Sequence, residues 1–307
     1  MVYLNWVTNV SDLLKKEGPA MFASPLSRVE KILVLAKTYP TPSAKHVETS
    51  CIAGITENQE MRRLYPVPFR LLGQDLQFKK WEWIEVDTYP NSQDNRKESR
   101  KIDYFSIRRL GKIITKKNKN KAPSWEKRVR WIKTIPEVTH FKPEKGNDIC
   151  VEEGTSLALY TLPSVFHLEI RQSEPEFTKE QMIKLKIFEN ENSLFTPEEA
   201  GLPRFTLRKI PYDFYYVFNA KTSDTEDREV KLKITDWESG ALYFNCLKSN
   251  GEGWQEPFRA RMESYMKTRD LKLLLGNIHQ HPNQWLAVSL LYPPKTSTGE
   301  AEQGSLF

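Results

Sequence analysis

The chain has 307 residues, of which 39% are hydrophobic and 28% charged, and its formal net charge is +6 at pH 7. This composition is typical of a globular protein, and no apolar run approaches the roughly 20 residues that a membrane-spanning helix needs. We therefore expect a cytoplasmic protein without a membrane partner. Three widely separated cysteines, Cys51, Cys150 and Cys246, argue against a disulfide framework and against a CxxC metal site.

Short apolar runs separated by proline and glycine predict strands in the first third of the chain. The predicted strands are Lys31–Lys37, Ser50–Ile55, Arg63–Pro68 and Trp81–Val86. The prolines between them keep the backbone extended, because each ring fixes φ and disfavours helix in the preceding residue. After an N-terminal extension over residues 1–30, we expect a small, partly open β-structure.

A strongly basic segment follows these strands. Residues 95–133 contain fifteen Lys or Arg and only three acidic residues, a local charge of +12, so the rest of the chain sums to −6. Within the segment, the Lys/Asn tract at 116–121 is too polar to pack and predicts a mobile arm or loop. Concentrated positive charge of this kind indicates a polyanion partner, because cations laid against phosphates release counterions.

The sequence therefore predicts a nucleic-acid-binding protein without a cofactor. The residues predicted to contact nucleic acid are Arg70, Arg96, Lys97, Arg100, Lys101, Arg108, Arg109, Lys112, Lys116, Lys117, Lys127, Arg130 and Trp131.

The basic segment ends in a predicted helix that Ser124 caps. At about 100° per residue, one side of this helix collects an apolar set and the other collects cations, with Trp131 on the flank beside Lys127. Trp131 is predicted either to stack on an exposed base or to pack against a neighbouring loop. The apolar set is Trp125, Val129, Ile132 and Ile135.

The second half of the chain indicates a mixed arrangement of helices and strands. Thr178 with Gln181, and Thr196 with Glu199, are capping-box pairs. Strands are predicted over Asp213–Ala220, Glu229–Thr235, Leu271–Leu275 and Trp285–Tyr292, and helices over Trp237–Leu247 and Pro257–Thr268.

The predicted fold class is α+β, with a small, mostly β N-terminal part followed by the basic segment and a mixed α/β C-terminal part. The predicted parts are 1–30, 31–145 as the β-rich part with the basic segment, 146–294 as the α+β part, and a disordered tail over 295–307.

Several chemistries have no sequence support. Neither the P-loop pattern G-x-x-x-x-G-K-[ST] nor the dinucleotide pattern G-x-G-x-x-G occurs. Of the five histidines, only His279 and His281 lie close together, and they have no carboxylate or cysteine partner nearby. We therefore predict no ATP, NAD or metal requirement.

Two carboxylates near the basic element are candidate catalytic residues. Asp94 directly precedes the cationic run, and Glu48 leads into a predicted buried strand. A carboxylate beside a phosphate-binding surface can stabilise an oxocarbenium ion and orient water, which is what cleavage of an N-glycosidic bond after base flipping requires. The alternatives are a turn made by Asp94 and a surface position for Glu48 at the strand entry. Asp236 and Glu238 are interpreted as helix-capping and first-turn residues.

A nuclease remains an alternative. Glu229 and Lys231 form an E-x-K on a predicted strand, and Asp213 lies sixteen residues earlier on another. Acidic groups that bind Mg²⁺, beside a lysine that orients water, are the core of many phosphodiesterases.

Six sequence phrases resemble a family of prokaryotic proteins, some of which are associated with phage defence. Within that resemblance, the chain is also similar to a bacterial anti-phage DNA glycosylase that removes glucosylated hydroxymethylcytosine. The resemblance implies double-stranded phage DNA with modified bases as the partner, with base flipping and an abasic product, and it assigns no catalytic residue. The phrases are Lys37–Ser43, Glu48–Ile55, Arg63–Arg70, Asp236–Glu238, Leu273–Gly276 and Pro282-x-x-Trp285.

Three hypotheses follow. The first is a metal-independent DNA glycosylase with Asp94 or Glu48 as its carboxylate. The second is a non-catalytic reader of modified nucleic acid, in which the early β-structure holds a base. The third is the Mg²⁺-dependent nuclease.

Overall fold

A computed structural model describes residues 27–43, 46–113, 125–138, 140–142, 148–150, 154–183, 185, 207–222 and 227–295. The strands are β1 Arg28–Lys37, β2 Thr41–Ser43, β3 Val47–Thr56, β4 Met61–Val67, β5 Glu82–Pro90, β6 Ser99–Ile102, β7 Arg108–Lys112, β8 His140–Lys142, β9 Asp148–Cys150, β10 Leu157–Thr161, β11 Phe166–Gln172, β12 Tyr212–Lys221, β13 Asp227–Ile234, β14 Lys272–Ile278 and β15 His281–Leu291. The helices are α1 Glu126–Ile132, α2 Trp237–Asn250, α3 Gln255–Arg259 and a π-helix Ala260–Tyr265, with 3₁₀ turns at Phe69–Leu71, Tyr104–Ser106 and Gly251–Trp254.

The predicted α+β class is confirmed, with a mostly β N-terminal region and helices in the C-terminal part. The chain divides into two compact units. The first comprises Met1–Ile113, Glu153–Leu157 and Arg171–Asp213, and the second comprises Ile114–Glu152, Ala158–Ile170 and Phe214–Phe307. The basic segment predicted as one surface is therefore divided between the two units.

The first unit contains a sheet that closes on itself. Its strand order is β1-β3-β4-β6-β5, and β5 pairs again with β1, while β7 continues along the edge of β5 after β6. All pairings in this ring are antiparallel except that of β4 with β6. Counted along the chain, the ring reads first, second, third, fifth, fourth strand, which is the order of the OB-fold barrel.

A bulge bends β1 so that it can pair with strands on both sides. The register with β3 shifts between Val34 and Ala36. The carbonyl of Val34 accepts a hydrogen bond of 2.8 Å from the backbone N–H of Trp81. Trp81 is buried and has a φ of 65°, an uncommon conformation for a residue with a Cβ. This hydrogen bond therefore fixes the backbone at Trp81, just before β5, against the bulge in β1.

Gly54 lies where β3 crosses β1 most closely. A Cβ there would lie 2.4 Å from Cγ2 of Ile32 and 2.7 Å from the carbonyl oxygen of Leu33. We expect Gly54→Ala to lower the free energy of unfolding by about 1–3 kcal/mol, because the backbone oxygen cannot move without disturbing the ladder. Urea unfolding of Gly54→Ala measures this. Gly253→Ala, where a Cβ meets open space, is the matched control, and equal effects of the two substitutions would contradict the argument.

The second unit is built on a six-stranded sheet of order β10-β14-β15-β13-β12-β11, with α2, α3 and the π-helix following β13 in the chain. An aromatic cluster of Phe214, Tyr243, Trp254 and Phe258, with ring centroids 4.5–6.4 Å apart, joins these helices to β12. No helix within the described ranges combines the length and apolar character that crossing a bilayer requires.

Two of the predicted helix caps are confirmed. The Asp236 carboxylate accepts a hydrogen bond from the N–H of Ser239 at the start of α2. Thr178 and Gln181 exchange the two hydrogen bonds of a capping box, of 3.0 and 3.2 Å. The capping pair Thr196 and Glu199, Ser124, the lysine tract at 116–121 and the tail beyond residue 295 lie outside the described residues.

Candidate nucleic-acid interface

Glu48 is a buried carboxylate at the start of β3. Its relative exposure is 2%, so the prediction of a surface position at the strand entry is wrong. One oxygen, Oε2, forms an ion pair of 3.2 Å with Nη1 of Arg70, which is partly exposed in the 3₁₀ turn after β4. Burial raises the pKa of Glu48 to about 7, against the lowering effect of the Arg70 charge. The group therefore exchanges its proton near neutral pH.

The same face of β3 carries two polar atoms that have no hydrogen-bond partner among the described residues. They are Oε1 of Glu48 and Oγ of Ser50, both buried. Because side chains alternate along a strand, residues two apart point to the same face. Buried polar atoms in proteins are nearly always paired, so these two atoms require a partner from beyond the described residues, such as an ordered water or a polar ligand.

Tyr39 and Arg208 extend this cluster. The Tyr39 hydroxyl donates a hydrogen bond of 2.7 Å to the carbonyl oxygen of Arg208. Burial raises the pKa of Tyr39 to about 12, with a smaller contribution from the negative charge of Glu48. Tyr39 therefore stays a neutral donor beside a carboxylate that titrates. We name Glu48, Ser50, Tyr39 and Arg70 the Glu48 cluster.

The neighbouring strand β4 carries an exposed aromatic ring. Tyr65 is 41% exposed, and its hydroxyl lies 3.5 Å from Oγ1 of Thr49 on β3. An exposed ring on a strand beside cationic loops is the kind of surface on which a nucleic-acid base stacks. Sequence reasoning missed Tyr65, Tyr39 and Ser50. All three lie within the phrases that carry the resemblance, but nothing in the local pattern distinguishes them from other strand and loop residues.

Asp94, the other predicted catalytic carboxylate, is held by its own loop. It accepts hydrogen bonds from Nε of Arg96 at 2.8 Å, from Nη2 of Arg96 at 2.5 Å and from Oγ of Ser99 at 2.8 Å. Burial raises its pKa, but these bonds and the Arg96 charge outweigh burial and lower the pKa to about 2. Asp94 also accepts from the backbone N–H of Arg96, so it makes the turn that was the alternative interpretation. A carboxylate with this set of partners is suited to ordering the loop.

Several arginines predicted to contact nucleic acid form ion pairs with carboxylates of the protein itself. The local charge of +12 did not include Glu82 and Glu85, which precede the basic segment on β5 and lie opposite β7. The ion pairs are Arg96 with Asp94, Arg108 with Glu85, Arg109 with Glu82, and Arg130 with Glu126. These four arginines therefore share their charge with a carboxylate, and their contact with nucleic acid stays a prediction.

The remaining predicted cations are spread over different elements. Lys97 lies in the β5–β6 connection, and Arg100 and Lys101 lie on β6, where Arg100 donates to the backbone carbonyls of Lys97 and Ser99. The predicted cations that form no ion pair with any described residue are Arg100, Lys101, Lys112 on β7, and Lys127 on α1. Lys116 and Lys117 lie outside the described residues.

Helix α1 forms as predicted but presents a different aromatic residue. Ile132 and Ile135 are buried, as the helical angle indicated. Trp131, predicted either to stack on an exposed base or to pack against a neighbouring loop, is half-buried. Trp125, at the beginning of the helix, has its ring centroid 5.6 Å from that of Tyr292, a contact that the sequence did not indicate.

The residues of the nuclease hypothesis are not brought together by the register of their strands. Glu229 lies opposite Asn219 on β12, which is six residues or about 20 Å along that strand from Asp213. Lys231 is paired with Glu169 and lies over the ring of Tyr215. Within the described ranges, no group of three or more His, Cys, Asp or Glu is arranged to hold a metal ion.

A second buried hydrogen-bond network joins Arg63 on β4 to Glu98, just before β6, through Ser156, which lies far from both in the sequence. Nη2 of Arg63 donates to the carbonyl oxygen of Ser156 at 2.7 Å, and the Ser156 N–H and hydroxyl donate to the two oxygens of Glu98 at 2.8 and 2.9 Å. The backbone N–H of Arg63 donates to the carbonyl of Glu98. This network fixes the parallel pairing of β4 with β6 and thus the end of the β5–β6 connection.

Two family models match the chain. One, described as a domain of unknown function (DUF8758), matches residues 28–134, which include the closed ring of strands and α1. The other, described as a domain of unknown function (DUF8757), matches residues 147–307, just over half of the chain. No curated protein matches the sequence.

Proposed function

The chain belongs to the family described as DUF8757, whose description names no activity, and we propose that it is a nucleic-acid-binding protein of phage defence that holds an unstacked nucleotide at the Glu48 cluster. The observation that carries this proposal is a pair of buried polar atoms on one face of β3, Oε1 of Glu48 and Oγ of Ser50, for which the described part of the chain provides no hydrogen-bond partner.

The strand order of the first unit supports the proposal. OB-fold proteins bind oligonucleotides and oligosaccharides on their second and third strands and on the connections between strands 1 and 2 and strands 4 and 5. Here the second and third strands of the ring are β3 and β4, which carry Glu48, Ser50 and Tyr65. Tyr39 lies in the first of those connections, and Arg96 and Lys97 lie in the second. The polar cluster, the exposed ring and two of the predicted cations therefore occupy the elements that this fold uses for binding.

The chemistry of the cluster fits a base. A carboxyl group that is half ionised near pH 7 accepts hydrogen bonds from base amino groups in one state and donates to a ring nitrogen in the other. Arg70 supplies a cation for a phosphate or a sugar oxygen. The exposed ring of Tyr65, which contacts Thr49 and so lies on the other face of β3 from Glu48 and Ser50, supplies a π-face for an adjoining base. Because the amino groups and ring nitrogens of a base are accessible in this way only when the base is unpaired, the proposed ligand is a flipped or single-stranded nucleotide.

Tyr65→Ala tests this proposal by fluorescence anisotropy with a labelled strand of about 20 nucleotides and an abasic strand of equal length. We expect the substitution to weaken binding of the base-containing strand by about 5- to 100-fold and to leave the abasic strand nearly unchanged, because stacking acts on bases alone. Phe105→Ala, which removes a ring of 38% exposure from the 3₁₀ turn after β6, is the matched control. Equal losses in both variants, or no binding by the unaltered protein at low salt, would overturn the proposal.

Excision of the bound base is the second candidate function, and the pKa of about 7 for Glu48 favours it. A general base works best when its pKa lies near the working pH. In this reaction the Glu48 carboxylate takes a proton from water, the water oxygen bonds to C1′ of the sugar, and the base departs with the electron pair of the N-glycosidic bond and is then protonated. The products are a free modified base and an abasic site.

A further inference from the structure

Three aromatic rings of the second unit contact one another in a row. Trp125 at the start of α1 lies 5.6 Å from Tyr292, which follows β15, and Tyr292 lies 6.3 Å from Tyr265 at the end of the π-helix. All three rings are half-buried, so each keeps part of its surface in solvent. The guanidinium of Arg128 lies 5.0 Å from the ring centroid of Trp125. The row is assembled from three elements that are distant in sequence.

Two further arginines stack on the same row. The guanidinium of Arg261 lies 3.8 Å from the ring centroid of Tyr265 and 5.4 Å from that of Tyr292. Arg269 lies 5.7 Å from the Tyr265 ring and donates to the carbonyl of Tyr292 at 3.1 Å. Arg261 and Tyr265 both belong to the π-helix, an irregularity that is frequent at functional sites. We name Trp125, Tyr292, Tyr265, Arg261 and Arg269 the arginine ladder.

Neither of the two stacked arginines is paired with a carboxylate of the described residues. The nearest acidic side chains along the chain have lysine partners, with Asp270 paired to Lys272 at 3.5 Å and Glu263 paired to Lys267 at 2.7 Å. Across the ranges that the structure describes, no carboxylate forms an ion pair with Arg261 or Arg269. This contrasts with the arginines of β7, each of which has a glutamate from β5. The arginine ladder is thus a patch of positive charge and aromatic surface.

We propose that the arginine ladder is a second nucleic-acid-binding surface, on the second unit, which takes the bases and phosphates of a single strand. A guanidinium that covers a ring with one face offers its other face to a base, while its N–H groups remain available to phosphate. The rings are spaced at nearly twice the roughly 3.4 Å rise of a duplex strand, which fits an extended single strand. An acidic peptide would use the charge but not the aromatic surface. The partner class rests on the proposed function.

Arg261→Lys in the full chain tests the ladder, because lysine keeps the charge and loses the planar stack. With the labelled strand of about 20 nucleotides, we expect affinity to fall about tenfold, with less than about twofold change for the abasic strand and an unchanged salt slope. Arg259→Lys, two residues earlier and paired with Glu263, is the matched control and should bind within about twofold of the unaltered protein. Thermal unfolding of each variant verifies that it is folded.

Several outcomes would overturn the proposal that the arginine ladder binds nucleic acid. They are an unchanged affinity of a folded Arg261→Lys variant, equal losses on both strands, or competition by polyglutamate as effective as that by an oligonucleotide of equal charge. Should Arg261→Lys fail to fold, irradiation of the unaltered protein with a bromouracil-containing strand decides the question. Adducts on Trp125, Tyr265 or Tyr292 support the ladder, and adducts confined to the first unit overturn it. The barrel proposal is independent of these results, because Tyr65→Ala tests it in the first unit.

Discussion

Under the proposed excision reaction, Glu48→Gln is expected to reduce the release of modified bases from T-even phage DNA by about 10²–10⁴-fold, the usual contribution of a positioned general base. Glutamine keeps the size of the side chain and its acceptor oxygen but cannot take a proton from water. Binding of the DNA should therefore survive better than catalysis. Because the carboxylate is the active form, the excision rate of the unaltered protein should rise with pH up to about pH 7 and then level off.

The measurement uses purified protein, phage DNA and EDTA, followed by hot alkali, which converts abasic sites into strand breaks. Asp94→Asn is the comparison, since the oxygens of Asp94 already bond Arg96 and Ser99 and we expect its loss to affect the loop more than the chemistry. If Glu48→Gln and Asp94→Asn both retain full excision, both carboxylate assignments are wrong. Breaks that need Mg²⁺ would favour a nuclease, and retention of DNA without breaks would leave a reader of modified bases.

The strands that the sequence predicts best are those whose local pattern agrees with the fold. The apolar run in β1 and the alternating run in β5 predict strands without reference to anything else, and Asp236 predicts its own helix because capping is a local interaction. The strands β6 and β7 were not predicted, because their arginines and lysines indicate a solvated segment. In the structure, pairing with β5 and the carboxylates of Glu82 and Glu85 stabilise β7.

The candidate sites depend on contacts between residues far apart in the chain. Tyr39 meets Arg208 across 169 positions, and Trp125 meets Tyr292 across a similar distance. No pattern of neighbouring residues predicts either contact. The composition therefore indicated a cationic protein, but it did not show which cations have no carboxylate partner in the fold. Charge counted along the sequence favoured Arg108 and Arg109, whereas tertiary contacts favour Arg261 and Arg269.

Glu48 also lowers the stability of the folded protein, which is not expected of a residue whose role is purely structural. A buried carboxylate with one unpartnered oxygen destabilises the folded state whenever it is ionised, and the single ion pair with Arg70 does not fully offset this. Sites of function commonly keep such groups, since activity and stability make different demands on the same residue. The free energy of unfolding should therefore depend on pH in the way that the ionisation of Glu48 determines.

We expect wild-type stability to fall by about 3 kcal/mol relative to Glu48→Gln as pH rises from about 4.5 to about 7.5. The pKa of Glu48 is about 7 in the folded protein and close to 4.5 in the unfolded chain. Between these values the folded state holds a proton that the unfolded state has lost, so raising the pH favours unfolding, by about 1.4 kcal/mol per pKa unit. Urea unfolding at a series of pH values gives the difference directly, and any constant effect of the glutamine cancels.

Asp94→Asn should show the opposite pH dependence of the free energy of unfolding in the same experiment. The pKa of Asp94 is lowered to about 2 in the folded protein, so its stabilisation is present above the unfolded pKa of about 3.9 and is lost only as pH falls towards 2. Its stability difference from wild type should therefore stay flat between pH 4.5 and 7.5 and shrink in more acidic solution. A flat difference for Glu48→Gln over the same window would show that Glu48 is ionised throughout, and a group already ionised at pH 4.5 is a weak proton acceptor for excision at neutral pH.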